Sequence, residues 1–254
     1  MESRGYFVSA LIIFPSPQSA GRCYTLPMSD IIRFNSIAGV PIRYARKDGT
    51  VPPAPPYGTL GTTVRHVSCR ADFRDKIAAF LADLARACPY GPPSALVCGS
   101  FMGGRKSGQH AEGRAWDLDA VWWGEHGGPV VTYYADQDAR RYLAVEATLR
   151  RHFGVVLNWW TPNLDGSFSH KCHFHCDSKY PTGFYKSRTI VRFVQLALTY
   201  VLGRPVAVDG EWGPQTAGAA GDWKWTHIPG VRITGTLADN WITFLGAVEE
   251  AGWR

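Results

Sequence analysis

Between Ser169 and Asp177 the chain reads Ser-His-Lys-Cys-His-Phe-His-Cys-Asp, and no other stretch narrows the fold as much. Side chains alternate across a strand, so an extended segment here puts His173 and His175 on one face and Cys172, Phe174 and Cys176 on the other. One face can be buried, and the other presents two imidazoles side by side. A second stretch, Ser107 to Asp119, behaves in the same way. Asp117 and Asp119 share one face, Trp116 and Leu118 the opposite one, and Gly113 supplies a turn able to bring His110 back toward Asp117. Two strands, each polar toward one place and apolar toward a core, are what a metal site on a sheet requires.

Zinc matches this ligand set. It takes imidazole nitrogen and carboxylate oxygen at about 2.0–2.2 Å, with three protein ligands and one water in a catalytic site. Two histidines and one aspartate leave the complex positively charged, which lowers the pKa of bound water toward about 7 and polarises a carbonyl. A further imidazole or carboxylate nearby then serves as general base. Any reading of these histidines as ordinary surface or core residues must account for three of them in six positions, together with an Asp-rich strand behind an isolated His. Cys172 and Cys176 as thiolate ligands are the rival. Strand parity sets them opposite His173 and His175, so burial or a disulfide is the expectation for them.

Around these stretches the chain reads as α+β. Phe73, Ile77, Phe80, Leu81 and Leu84 recur at helical spacing within a helix from Asp72 to Ala87, with Asp72 as cap and Pro89 and Gly91 as the stop. A second helix runs from about Asp138 to Phe153, its stripe made by Tyr142, Val145 and Leu149, and Gly154 ends it. Short strand-like pieces cover Ala95 to Cys98, Ala115 to Val121, Val130 to Tyr133, Val155 to Trp159 and Lys171 to Cys176. Few strands, with helices outside an alternating βαβ rhythm, predict a small antiparallel sheet flanked by helices. Pro52, Pro53, Pro55 and Pro56 set off an N-terminal arm, residues 1–58, from a main domain, residues 59–184. The arm holds a short apolar patch, Ala10 to Phe14, interrupted by Pro15 and Pro17, which makes a poor signal peptide. Met28 reads like an ordinary start, so the leader is either processed or a misassigned beginning. The composition breaks near Pro181-Thr182-Gly183, and a three-helix unit, residues 185–254, follows. Ser187 is its first cap, and Ile190, Val191, Val194 and Leu198 form its first stripe.

A formal charge of +6 and a pI near 9.1 suit approach to a polyanion. Lys and Arg are spread along the chain without a concentrated run, so nucleic acid is not the expected partner. No apolar run approaches the roughly 18 residues of a membrane span. The six cysteines, at 23, 69, 88, 98, 172 and 176, read as buried thiols with one or two bridges at most, and neither zinc-finger spacing nor C-x-x-C occurs.

Ser107, His110, Gly113, Ala115 and Asp117, as Ser-x-x-His-x-x-Gly-x-Ala-x-Asp, resemble the first zinc motif of the D-alanyl-D-alanine carboxypeptidases and dipeptidases, which usually have one residue fewer between Ser and His. The run His170-x-x-His173-Phe174-His175 is more similar to the penicillin-insensitive murein endopeptidases and the extensin-like C-terminal domain. There it replaces the Glu-x-x-His of the carboxypeptidases. Gly99-Ser100-Phe101 followed by Arg105 also resembles the extensin-like stretch, and the likeness covers about residues 65 to 180. It implies His110, Asp117 and His175 as zinc ligands and His173 as base or transition-state partner. His170 is implied as an orienting group for water or substrate, and Arg105 as the holder of a substrate carboxylate or developing oxyanion. The glutamate of the carboxypeptidases is absent; were His170 in its place, His173 would be the ligand instead. Glu112 is a less favoured base. Trp159 and Trp160, like Trp122 and Trp123, could line a substrate groove or pack an edge.

After residue 185, Val194-Gln195-x-x-Leu198 and Asp209-Gly210-x-x-Gly213-x-x-Thr216 resemble a three-helix peptidoglycan-binding domain. Gly-interrupted residues 217–220 and the missing Phe-Gln ending depart from it. Together the resemblances imply a zinc-dependent peptidoglycan peptidase of autolysin or endolysin type. They place it at the cell wall or periplasm, secreted or released by a holin, with its oligomeric state left open. A D-alanine carboxypeptidase and a non-catalytic wall-binding protein with a structural zinc are the alternatives.

Overall fold

The computed structural model describes residues 30–44, 57–102, 108–161, 170–226 and 235–254. In chain order the elements are β1 (Ile31–Phe34), β2 (Ser36–Ile37), β3 (Val40–Arg43), β4 (Val67–Arg70), α1 (Ala71–Ala87), β5 (Ala95–Ser100), β6 (Ala115–Trp122) and β7 (Pro129–Val131). There follow α2 (Ala139–His152), β8 (Val155–Leu157), β9 (Phe174–Asp177), α3 (Arg188–Leu196), α4 (Pro214–Thr226) and α5 (Trp241–Gly252). The architecture is α+β, with a mixed sheet in the order β2-β3-β5-β6-β9-β8 and a separate β1–β4 pair. Every pairing is antiparallel except β3 with β5.

β6 organises the sheet. β5 runs along one of its edges, while β9 pairs with Ala115 to Leu118 and β7 with Ala120 to Trp122. β9 and β7 therefore share the other edge in succession, and the chain can enter and leave the sheet midway along β6. Trp116 and Phe174 point toward the helices. The Trp116 ring lies 6.1 Å from Phe80 of α1, and Phe174 lies 4.5 Å from Tyr142 of α2. Burying aromatic rings of this size supplies much of the driving force for docking the helices on that face. The odd-numbered residues of β6, Asp117 among them, belong to the other face.

Several boundaries differ from the sequence reading for local reasons. Arg70 holds the N-cap position of α1, and Asp72 sits inside the first turn with its carboxylate 3.2 Å from Arg70 Nε. Its negative charge there still suits the helix dipole. Asp138 does cap α2, accepting from the Arg141 N–H at 3.4 Å. Gly154 is required by a close approach rather than by backbone conformation, since a Cβ there would meet the Tyr180 carbonyl oxygen at 1.9 Å. Residues 170–173 form a turn, and the strand starts only at Phe174. Residues 31–43, inside the segment read as an arm, enter the sheets, with Ile42 buried in parallel register beside Leu96. Pro52 to Pro56 and the apolar patch at 10–14 lie outside the described residues, as does Cys23. Cys69, Cys88, Cys98 and Cys176 are buried thiols with no bridge between them.

Beyond residue 185, α3, α4 and α5 share one continuous core with the sheet. Ser187 stands at the N-cap position of α3, but its hydroxyl pairs with Thr189 Oγ1 rather than with the backbone. The fully buried Gln195 explains the Asp-Gly skeleton. Its amide nitrogen donates to Asp209 Oδ1, the Glu211 carbonyl and Thr216 Oγ1, at 2.7, 3.0 and 3.0 Å. Its oxygen accepts from the Gly210 N–H at 2.8 Å, and Gly210 has the positive φ (83°) that the turn needs. These motif residues hold the loop to α3. α5 packs closely on α2, where a Cβ on Gly252 would lie 2.8 Å from the Ala144 side chain. Among the described residues no helix is long and apolar enough to cross a membrane.

Candidate metal centre

Register places the first pair. Asp117 and His175 are direct cross-strand partners in the β6–β9 ladder, so their side chains leave the same face about 5 Å apart at Cβ. His110 arrives from the preceding loop. A 3₁₀ turn at Gly108–His110 leads into Gly113, whose φ of 67° folds the chain back, and the Gly113 N–H donates to the His110 carbonyl at 3.2 Å. Only a residue without Cβ fits there, because an added carbon would press on the Arg70 nitrogen at 3.0 Å.

The three side chains converge. His110 Nε2 lies 3.2 Å from Asp117 Oδ1, His175 Nδ1 lies 3.1 Å from the same oxygen, and the two nitrogens are 3.2 Å apart. A tetrahedral ion about 2.0 Å from each ligand would hold them about 3.3 Å apart. The triad His110, Asp117 and His175 therefore has the donor chemistry and spacing to hold a metal ion. The remaining ring nitrogens orient it. His110 Nδ1 faces the Phe101 carbonyl at 2.8 Å and His175 Nε2 faces Asp177 Oδ2 at 3.1 Å. Each is thereby a donor, and once the opposite nitrogen carries no proton its lone pair is directed at an ion.

The electrostatics follow from this crowding. Burial works against the Asp117 carboxylate, yet the hydrogen bonds from His110 and His175 and the nearby His173 keep its pKa well below the ordinary value. Burial alone would lower the pKa of His175, but Asp117 and Asp177, one at each ring nitrogen, raise it to about 9. His170 is lowered to about 4, first by burial and then by the charge of His175.

The other expected site residues fall out unevenly. His173 Nε2 stands 3.7 Å from Asp117 Oδ1, just outside the triad, and its Nδ1 is 3.4 Å from Cys172 Sγ. Cys172 therefore lies beside His173 instead of across the sheet, because the turn at 170–173 breaks the strand alternation. The His170 ring is 5.3 Å from His173 and 5.8 Å from His175. Glu112 is exposed and pairs with Gln109. Trp159 packs edge-on against Tyr133 with Lys171 Nζ 4.8 Å from its ring, whereas Trp160 packs on Tyr142. Trp122 and Trp123 donate to the Gly58 and Gly91 carbonyls and act in packing. Arg105 lies outside the described residues. Asp177 and the Phe101 carbonyl are the functional groups that the sequence reading passed over. Asp177 was signalled by its place two residues after His175, on the same strand face.

Compared with known proteins, the chain matches no family model, no curated protein and no solved structure.

Two expectations follow from this arrangement. Asp177→Asn should weaken zinc binding by about 10- to 100-fold, the usual cost of losing an outer partner of a ligating histidine. Competition with a chromophoric chelator measures it, and unchanged affinity would remove Asp177 from the centre. Zinc binding should also release protons at neutral pH. Without metal, His175 keeps its proton up to about pH 9, and an ion needs the Nδ1 lone pair. Affinity therefore falls as pH drops below that value, about tenfold per unit for one displaced proton. Calorimetry in buffers of different ionisation enthalpy counts the protons.

Proposed function

We propose that this protein is a zinc-dependent peptidase acting on the peptide stems or cross-links of peptidoglycan. The observation that carries the reading is the triad His110, Asp117 and His175, with two further imidazoles, His173 and His170, on its margin. When bound there, zinc supplies Lewis acidity toward a carbonyl and lowers the pKa of a bound water. The chain's own residues do the rest. Asp117 and the two ligating histidines are fixed by the β6–β9 register, by Asp177 and by the Phe101 carbonyl, so the site costs little reorganisation. His173, whose ring lies beside Asp117 and Cys172 at the edge of the triad, is the group assigned to take a proton from an attacking water and return it to the leaving amine. His170, beside both His173 and His175, is placed to orient water or the substrate amide. Trp159 and Lys171 offer an aromatic and cationic margin to the peptide, while Trp160 serves packing.

Peptidoglycan as substrate is supported by the paired motifs that resemble murein peptidases and by the Gln195–Asp209–Thr216 skeleton of the C-terminal helices. A binding unit attached to the catalytic one raises local enzyme concentration on an insoluble polymer, and the positive net charge favours anionic walls. Action at the cell wall, reached by export or by release through a holin, belongs to the same proposal. The test is mass spectrometry of muropeptides after digestion of purified sacculi, with and without a chelator. Loss of cross-linked species that stops on chelation supports the proposal. Free D-alanine with cross-links intact identifies a carboxypeptidase, and binding to sacculi with no bond cleaved rejects the enzyme altogether.

A further inference from the structure

The link between β9 and α3 crosses the start of β8 and leaves a groove of about 500 Å³, within the range of small-molecule sites. Val155 and Ile190 line it as aliphatic side chains, Tyr180, Pro181 and Tyr185 add rings, and its polar groups include the hydroxyls of Ser187 and Thr189. Both tyrosines are unusually open, 54% and 46% exposed. The link is also one-sided in charge. Residues 178–192 contain Lys179, Lys186, Arg188 and Arg192 and no Asp or Glu, and the first three are exposed. Lys179 lies over the Tyr180 ring and Lys186 over Trp212, at 5.2 and 5.8 Å. Asp209, the acid that acts on Arg192, is already engaged by Gln195 and the Glu211 N–H.

An aliphatic groove flanked by exposed tyrosines and cations is chemically amphipathic. Purely hydrophilic wall polymers would satisfy the cations but gain nothing from the apolar lining that Val155, Pro181 and the tyrosine rings provide. Lysine and tyrosine suit a boundary between water and hydrocarbon, since each carries an apolar body and a polar tip. We propose that this groove accepts an acyl chain of an anionic lipid, its headgroup meeting Lys179, Lys186 and Arg188, and that it docks the protein on an anionic membrane leaflet. The proposal is independent of the zinc reading.

The experiment is co-sedimentation of the full chain with phosphatidylcholine vesicles, with and without phosphatidylglycerol, at low and high salt. Binding should require phosphatidylglycerol, and a fraction should survive high salt because the groove contribution is not screened. Lys179→Gln with Lys186→Gln should lower affinity about 25-fold, about fivefold for each basic residue removed near the surface. Tyr180→Ala with Tyr185→Ala should keep the low-salt binding and lose the salt-resistant fraction. All four side chains are exposed, so both variants should fold, which thermal melting checks. His110→Ala should bind vesicles as the parent does, which separates this proposal from the metal centre. The proposal is overturned if binding is fully salt-sensitive and indifferent to the tyrosines. It is equally overturned if the same residues retain the protein on sacculi while vesicles do not bind.

Discussion

Replacing His110 by alanine should reduce zinc affinity by more than about 100-fold, beyond the range for losing an outer partner, and, under the function proposed above, abolish release of muropeptides from sacculi. The reason lies in the ligand count. His110 Nε2 closes a triangle whose other corners are Asp117 Oδ1 and His175 Nδ1, at 3.2 Å from each. Two protein ligands cannot hold a tetrahedral ion with one open position, because a further water must replace the lost imidazole. The fold should survive, since His110 belongs to a loop and the β6–β9 ladder keeps its own hydrogen bonds. Chelator competition, circular dichroism and the muropeptide assay on the same preparation measure all three effects. A folded His110→Ala protein that still binds zinc tightly and cleaves sacculi would falsify the proposed centre.

The centre was legible in the sequence wherever its geometry is local. Alternation along β6 and β9 puts Asp117 and His175 on the same sheet face, and a glycine three residues after His110 marks the fold-back that brings the imidazole in. The same alternation misplaced Cys172, because residues 170–173 turn before the strand begins. Asp177 obeyed the alternation and was passed over only because it ends the run. The N-terminal strands were illegible for a different reason. β3 contains Pro41 and is buried by parallel pairing with β5, and that tertiary decision leaves no short-range pattern. The cap of α1 shows the reverse case. Asp72 has the right chemistry to cap but lies two positions past the cap, and its carboxylate turns back to Arg70. In the C-terminal helices the Asp-Gly and Gln signature was visible, whereas its purpose was not. Four hydrogen bonds on one buried glutamine turn a string of motif residues into a loop anchor.

Arg150→Ala should destabilise the protein by about 3–5 kcal/mol, the cost of breaking a buried ion pair by removing one partner. Arg150 and Glu146 are one turn apart on α2 and both buried. Two guanidinium nitrogens reach Glu146 Oε1 at 2.9 and 2.7 Å. The same guanidinium reaches the Val156 carbonyl of β8 at 3.2 Å and the Thr189 carbonyl of α3 at 3.5 Å, and lies over the Phe193 ring. One side chain thus ties α2, a sheet strand and the C-terminal helices together. In the variant, Glu146 remains buried without its cation, and burial already raises its pKa. The folded state then binds a proton that the unfolded chain has released. Stability should therefore fall as pH rises through and above the ordinary carboxylate range. Adding Glu146→Leu should abolish that pH dependence and restore only part of the loss, because the guanidinium's bonds to the Val156 and Thr189 carbonyls are not restored. Urea unfolding across pH distinguishes the two components, and an Arg150→Ala midpoint equal to the parent's would show that the pair is not a strut. The effect should reach the metal centre as well. β8 pairs with β9 at Leu157 and His175, so loosening β8 frees the strand that carries a ligand, and zinc affinity should fall in Arg150→Ala even where the protein remains folded.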